Sequence, residues 1–424
     1  MSRLRFRDNN FGYGSSGMRQ PSRSRRARRV RLRLPASMPL GNITPRHLFN
    51  RDDVLAWYDT KRGQKGNGAG VDGIRLDEFH RHDIANVCGE IIDGINNGTF
   101  VPNELREVGH RRRDGRIRLL NVPVVCERIV LGAAADMLAL PVGQHLGPNV
   151  YGLTGQGTDQ MLLDIIRVIN TTPADQGIYF CERDVKKAFD RVRHEAVWSA
   201  LGQLGFSEAL IETLRRIMTP SAGQNENVGL SQGNPFSPML FGITLSSCLN
   251  LTNNQAEAAG VLTPRVYIDN VEYISPQERM ITNSIDTHLA AMATAGLEYG
   301  VSPDPIANLR EGDSTKILGY RISIRANQAR LEIHPERIAE TKATLQEAIA
   351  TANPAETARV FLRGYVAGHG IVYSTAGRDY CRFVLETLCA DIGLEGTEFE
   401  RILDLWERKG RRLQNLHSFL TQST

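Results

Sequence analysis

Asp184 and Asp269 each end a run that reads as a strand, and a loop suited to a flat substrate lies between them in sequence. Asp184 closes IYFCERDV (178–185), an extended run with the segment AFDRVRHEAVWSALGQLGF starting a helix just beyond it. A carboxylate at a strand terminus beside loops is well placed to bind a divalent ion. Asp269 falls in VYIDNVEYI (266–274), where Asp-Asn separates two runs rich in Val, Ile and Tyr, as at the tip of a β-hairpin. GLSQGNPFSP (229–238) joins Gly-Gln-Gly to Pro-Ser-Pro, a backbone that a flat substrate can approach closely at the start of a helix. Each feature also has a plain structural reading. Asp184 could cap the next helix, the glycines could form an ordinary loop, and Asp269-Asn270 could be turn chemistry alone.

The elements that must position these groups follow from periodicity. PRHLFNRDDVLAWYDTKRG and DEFHRHDIANVCGEIIDGINNGTF read as helices, the second ending near Asn96–Gly98. ELREVGHRRRDGRIRLLNVP reads as a hairpin around Arg-Asp-Gly, followed by the apolar helix VCERIVLGAAADMLALPVG. KGNGAGVDGI (65–74) is a Gly-rich loop but lacks the GxxxxGK[ST] pattern of a phosphate loop. After the VYIDNVEYI hairpin come a helix over 277–296 and STKILGYRISI, which alternates as a strand. From about residue 334 amphipathic helices dominate. Mixed α/β followed by helices is an α+β layout with a helical appendage.

Composition narrows the class. At 424 residues, 41% apolar and 23% charged, the chain reads as an ordinary globular protein of two or three subdomains. No apolar stretch approaches the ~20 residues of a membrane span, so no membrane partner is expected. The six cysteines are scattered without a CxxC pair, which favours buried reduced thiols over disulfides or zinc. The net charge of +4 conceals a division: residues 1–34 hold eleven Arg, no Lys and only Asp8 as an acid, about +10, against about −6 for the rest. PSRSRRARRVRLRL cannot bury enough apolar surface to fold alone. It reads as a disordered arm for phosphates, with a solvated tail and an organelle transit peptide as the other readings. The expected location is cytoplasmic, associated with nucleoid or ribonucleoprotein.

Taken in order, strand–Asp, QG–P–SP–helix, YxD at a hairpin tip and LGY beyond it resemble the palm of the reverse transcriptase family, most closely its group II intron and related prokaryotic branch. AGVDGIRLDEF (69–79), RIRLLNVPVVCERIVLGAAADML (116–138), VYGLTGQGTDQ (150–160) and FLRGYVAGHGIVYS (361–374) resemble further segments of that family, so the likeness covers roughly residues 65 to 390. The implied fold is a right-hand polymerase: a basic arm (1–40), fingers (41–175), a palm with an antiparallel sheet (176–330), and a helical thumb with C-terminal helices (331–424). The implied activity is RNA-directed DNA synthesis by two-metal nucleotidyl transfer, with an RNA template, a DNA or RNA primer, dNTPs and a possible cognate structured RNA as partners.

The resemblance also implies site roles. Asp184 and Asp269, with the Val185 carbonyl, would hold Mg²⁺. Phe189 matches the aromatic under the incoming sugar, with a core aromatic as its plain reading, and Gln232 matches a residue that touches nucleotide or template. Arg116 and Arg118 would clamp the triphosphate, while Arg111, Arg112 and Arg113 would meet the template backbone. Leu318, Gly319 and Tyr320 resemble the primer grip, and Asp190 is expected to be structural.

The sequence departs from the family in two places. The tip is Tyr267-Ile268-Asp269-Asn270 where the family writes YxDD, so Asn270 supplies an oxygen without a charge, and Mn²⁺ becomes an alternative to Mg²⁺. Glu272 is a candidate to compensate. The lysine often found before the primer grip is absent, and Lys316 is the nearest substitute, as a phosphate contact or as a proton donor to pyrophosphate. A viral RNA replicase would need an SGxxxTxxxN segment and a GDD tip. No HNH or RNase H set is read after the thumb, which favours a stand-alone polymerase. Two alternatives stay open: a template-independent or RNA-synthesising polymerase of the same fold in a defence system, and an RNA-binding protein in which Asn270 marks lost catalysis.

Overall fold

The computed structural model describes residues 34–422 apart from 62–72, 74, 76–77, 79–80, 104–105, 112–116, 154–155, 219–226, 253–259, 302–304, 351–352, 391 and 393–395. Along the first half of the chain run α1 (Pro45–Leu48), α2 (Arg51–Lys61), α3 (Arg81–Asn97), β1 (Arg106–Arg111), β2 (Ile117–Val122), α4 (Val125–His145), β3 (Val150–Tyr151), α5 (Thr158–Thr171), β4 (Tyr179–Asp184), α6 (Ala188–Arg191) and α7 (His194–Leu204). Next come α8 (Glu208–Ile217), α9 (Ser237–Cys248), β5 (Arg265–Tyr267), β6 (Asn270–Ser275), α10 (Glu278–Thr294), β7 (Ala307–Asn308), β8 (Thr315–Ile317), β9 (Tyr320–Arg325) and β10 (Gln328–Ile333). Four helices follow: α11 (Pro335–Ile349), α12 (Pro354–Gly368), α13 (Gly370–Cys389) and α14 (Thr397–Gln422). The class is mixed helix and sheet with antiparallel strands and a helical C-terminal region.

The elements fall into two units, each discontinuous in sequence: 1–156 with 184–271 and 283–300, and 157–183 with 272–282 and 301–424. In the first unit, α4 and α9 are strongly apolar and bury most of their length: Ile129, Val130, Leu138, Leu240 and Phe241 are fully buried. The α2 helix starts at Asn50, whose side chain accepts from the Asp52 and Asp53 amides at 2.9 and 3.3 Å. Leu34 and Leu40 are buried, while residues 1–33, with the Arg-rich arm, lie outside the described residues. In the second unit, β8, β9 and β10 form an antiparallel meander. Proline at the first helical position opens both α11 and α12. Trp406 of α14 is fully buried and donates its indole N–H to the His369 carbonyl at 2.7 Å.

A five-stranded sheet runs in the order β3-β5-β6-β4-β7. Within it β3 pairs parallel with β5, and β4 pairs antiparallel with β7. All six cysteines are free, and Cys248 alone is half-buried rather than buried. No helix among the described residues is long and apolar enough to cross a membrane.

Several local expectations change. STKILGYRISI is two strands with a turn at Leu318-Gly319, because both residues take positive φ, 45° and 82°, and reverse the chain. The alternation of apolar residues continues through such a turn, which hides it from a periodicity reading. QARLEI forms β10, paired with β9 across Ala326-Asn327, again both at positive φ. The helix expected from Ala188 is broken at Val192 between α6 and α7, and α5 and α8 were not anticipated. Gly377, at φ 82°, kinks α13.

Candidate active site

The hairpin tip turns one residue earlier than Asp-Asn suggests. Ile268 and Asp269 form the turn, and Asn270 is the first residue of β6, so Asn270 is not turn chemistry. Ile268 holds φ at 59°, an unusual value for a β-branched residue and a sign of local strain. The VYG segment lies alongside: Val150 and Tyr151 pair with Val266 and Tyr267, and Gly152 follows at φ 93°. A Cβ on Gly152 would come 2.9 Å from Ile268 Cγ1, so glycine is what allows this contact.

Asp184 is laced in from two sides. The Val185 amide donates to the Asp269 carbonyl at 2.8 Å, which ties the end of β4 to the hairpin tip. On the other side, the Gly300 amide donates to the Asp184 carbonyl at 2.7 Å and the Lys186 amide to the Glu298 carbonyl at 3.0 Å. The helix-cap reading of Asp184 fails, because the residue before α6 is Lys187 in the left-handed region. Asp184 is exposed and Asp269 half-buried, and the hydrogen bond between the Val185 amide and the Asp269 carbonyl makes them neighbours along adjoining backbones. Among the described residues no three His, Cys, Asp or Glu side chains gather as a metal site. Two carboxylates are a fitting set for Mg²⁺, which keeps waters and phosphate oxygens in its shell. Glu272 is fully buried, which withdraws it from a hydrated cation.

The segment after Asp184 is zipped to the glycine loop. The Leu230 amide donates to the Phe189 carbonyl at 2.6 Å, Gly229 to Val192 at 2.8 Å, and His194 to Asn227 at 2.9 Å. That pairing brings the Gln232 Nε2 within 3.0 Å of Asp190 Oδ1, giving Asp190 a definite structural role. Phe189 is buried, its ring centroid 5.0 Å from that of Phe241. The loop itself is pinned by the Ser237 hydroxyl on the Ser231 carbonyl at 2.6 Å and by Asn234 Oδ1 on the Phe236 amide at 3.0 Å. Nearby, Glu298 accepts from Lys186 Nζ at 2.9 Å and from Arg191. The Lys186 bond, then Arg191, hold its carboxyl below the usual range.

Leu318, Gly319 and Tyr320 belong to the second unit. Tyr320 is buried, its hydroxyl 2.8 Å from His369 Nδ1, and burial pushes its pKa up to about 12. Lys316 is exposed on β8, opposite Arg321. Arg118 lies in β2 opposite His110, and Arg111 in β1 opposite Ile117. Arg116, Arg112 and Arg113 lie outside the described residues, as does most of AGVDGIRLDEF. Residues not singled out from sequence include Glu182, Glu298, Gly300 and Arg337. Only Glu182 carried a signal, since two positions before Asp184 on a strand means the same face.

A family model described as reverse transcriptase (RNA-dependent DNA polymerase) matches residues 111–322, half of the chain. A Retrovirus-related Pol polyprotein from type-1 retrotransposable element R2 of Popillia japonica is 25% identical over 30% of this chain and 23% of its own. A solved telomerase from Candida albicans, in complex with the TWJ fragment of telomeric RNA, aligns with a TM-score of 0.40 at 9% identity, covering 73% of this chain and 62% of that one. The chain thus spans under a quarter of the length of the curated relative.

Proposed function

The chain belongs to the reverse transcriptase family, and we propose that it is an RNA-directed DNA polymerase that extends a primer 3′ end along an RNA template with dNTPs. The observation that carries the reading is the 2.8 Å bond from the Val185 amide to the Asp269 carbonyl, which joins the strand end bearing Asp184 to the tip bearing Asp269. In this reading residues 41–175 serve as fingers, 176–330 as palm and 331–424 as thumb, and the Arg-rich arm neutralises nucleic-acid phosphates.

Asp184 and Asp269, with the Val185 carbonyl, would hold Mg²⁺, which when bound lowers the pKa of a hydroxyl and neutralises phosphate charge. Asn270 offers an amide oxygen beside them. Gln232, set by Asp190, contacts nucleotide or template, and Phe189 excludes a 2′-hydroxyl by its bulk. Arg116, Arg118 and Lys316 contact phosphates, and the Leu318-Gly319-Tyr320 segment holds the primer end. A second reading, an RNA-binding protein without catalysis, rests on Asn270, where one negative charge of the family pattern is missing.

The test is incubation with a primed RNA template, dNTPs or rNTPs, and Mg²⁺ or Mn²⁺. Template-directed dNTP incorporation supports the polymerase. RNA binding without incorporation selects the second reading. Equal use of rNTPs overturns the role given to Phe189.

A further inference from the structure

A two-residue hairpin loop closes its ladder at the flanking pair, here Ile317 and Tyr320. The amide and carbonyl of its first residue are left outside that ladder. At Leu318 both are taken by charged side chains from other elements of the same unit. Glu182 Oε2 of β4 accepts from the Leu318 amide at 2.9 Å, and Arg337 Nη1 of α11 donates to the Leu318 carbonyl at 3.2 Å. The Gly319 carbonyl accepts from the His334 amide at 3.3 Å. Gly319 sits at φ 82°, and a Cβ there would lie 2.6 Å from Arg337 Nη1 and push the guanidinium off the Leu318 carbonyl. The Arg337 guanidinium in turn lies 5.5 Å from the Tyr320 ring centroid, and Tyr320 is anchored on His369.

This is costly construction for a turn. Leu318 at φ 45° is a strained non-glycine position whose half-exposed side chain does little to hold it. The order comes from an acid and a base acting on one peptide residue through charge-assisted bonds. The acid is Glu182, on the same face of β4 as Asp184, two residues ahead of it.

We propose that Glu182 is a positioning residue for the primer terminus, acting through the Leu318 amide, with Arg337 as its counterpart on the Leu318 carbonyl. The proposal rests on the polymerase reading above. With Glu182 in place the turn is fixed to the strand that ends in Asp184. Without it the Leu318 amide loses its partner on β4, the turn is left to Arg337 and the His334 amide, and the primer 3′-hydroxyl spends less time aligned.

The experiment is single-turnover extension of a primer annealed to RNA by the full chain, comparing wild type with Glu182→Ala, Glu182→Gln and Arg337→Gln. Thermal melting and primer–template affinity are followed in parallel. Loss of one aligned contact should slow Glu182→Ala by about tenfold or more. The KM for dNTP and the binary affinity should stay within about twofold, since neither depends on alignment. Glu182→Gln keeps an acceptor oxygen and should recover most of the rate, which a role of the charge alone would not produce, while an unchanged melting temperature in Glu182→Ala separates positioning from a loss of fold. Arg337→Gln should give the same signature as Glu182→Ala, so the test survives if one variant folds poorly. Wild-type rates in both Glu182→Ala and Arg337→Gln, or a dNTP KM that rises in step with the lost rate, would overturn the proposal. No extension by wild type with any metal would sink the polymerase reading itself, a separate and recognisable failure.

Discussion

Replacing Gly152 by alanine separates two costs that the hairpin tip imposes. Gly152 sits at φ 93°, where an L-residue loses about 1–2 kcal/mol, and its Cβ would meet Ile268 Cγ1 at 2.9 Å, an overpacking cost of about 1–3 kcal/mol. Gly205, the C-cap of α7, is the control. Its φ is 99°, yet a Cβ there meets nothing within 4 Å, so Gly205→Ala should carry only the backbone cost. Urea unfolding should therefore show Gly152→Ala destabilised by about 1–3 kcal/mol more than Gly205→Ala. Primer extension should fall in Gly152→Ala alone, because Ile268 precedes Asp269 in the turn. Combining Gly152→Ala with Ile268→Ala removes the contacted atom and should cancel the extra cost. Equal destabilisation in the two glycine variants, or no coupling with Ile268→Ala, would refute the packing argument.

Other outcomes follow from the same site and from the helical region. Asn270→Asp restores a charge beside Asp269 and should lower the Mg²⁺ concentration for half-maximal extension about tenfold, corresponding to about 1–2 kcal/mol; an unchanged Mg²⁺ titration would place residue 270 away from the ion. Burial holds His369 and His288 neutral, lowering each from 6.5 to about 4. For a base shifted downward, the unfolded chain gains a proton below pH 6.5 that the folded chain refuses until about 4. Stability should thus be level above pH 6.5 and fall below it, by about 1.4 kcal/mol per pH unit for each histidine. His369→Gln should remove one such contribution from urea midpoints measured between pH 7 and 5; an unchanged slope would show that His369 is not held neutral.

The sequence was most legible where chemistry and periodicity coincide. Asp184 ends its strand, Asp269 sits in its hairpin turn, and the glycine loop enters α9, because alternation followed by small residues leaves few other local structures. Positive-φ turns were less visible. Leu318 carries a side chain that reads as strand, and a long-range pair of charges, Glu182 and Arg337, helps hold it in the turn. The shift of the tip to Ile268-Asp269 has the same origin, since Asn is the better turn former but the β3–β5 pairing and the Gly152 contact fix the register. The Gln232–Asp190 bond was equally hidden, since 42 residues separate the partners.

The central claim is that Asp184 and Asp269 act together on one bound cation during nucleotide transfer, and a double-mutant comparison of extension rates tests it most directly. Each of Asp184→Asn and Asp269→Asn should reduce single-turnover extension by about a thousandfold or more, and the double variant should be scarcely worse than either, as for groups that act as a unit. Single variants that retain rates within tenfold of wild type, or losses that multiply in the double variant, would contradict the account.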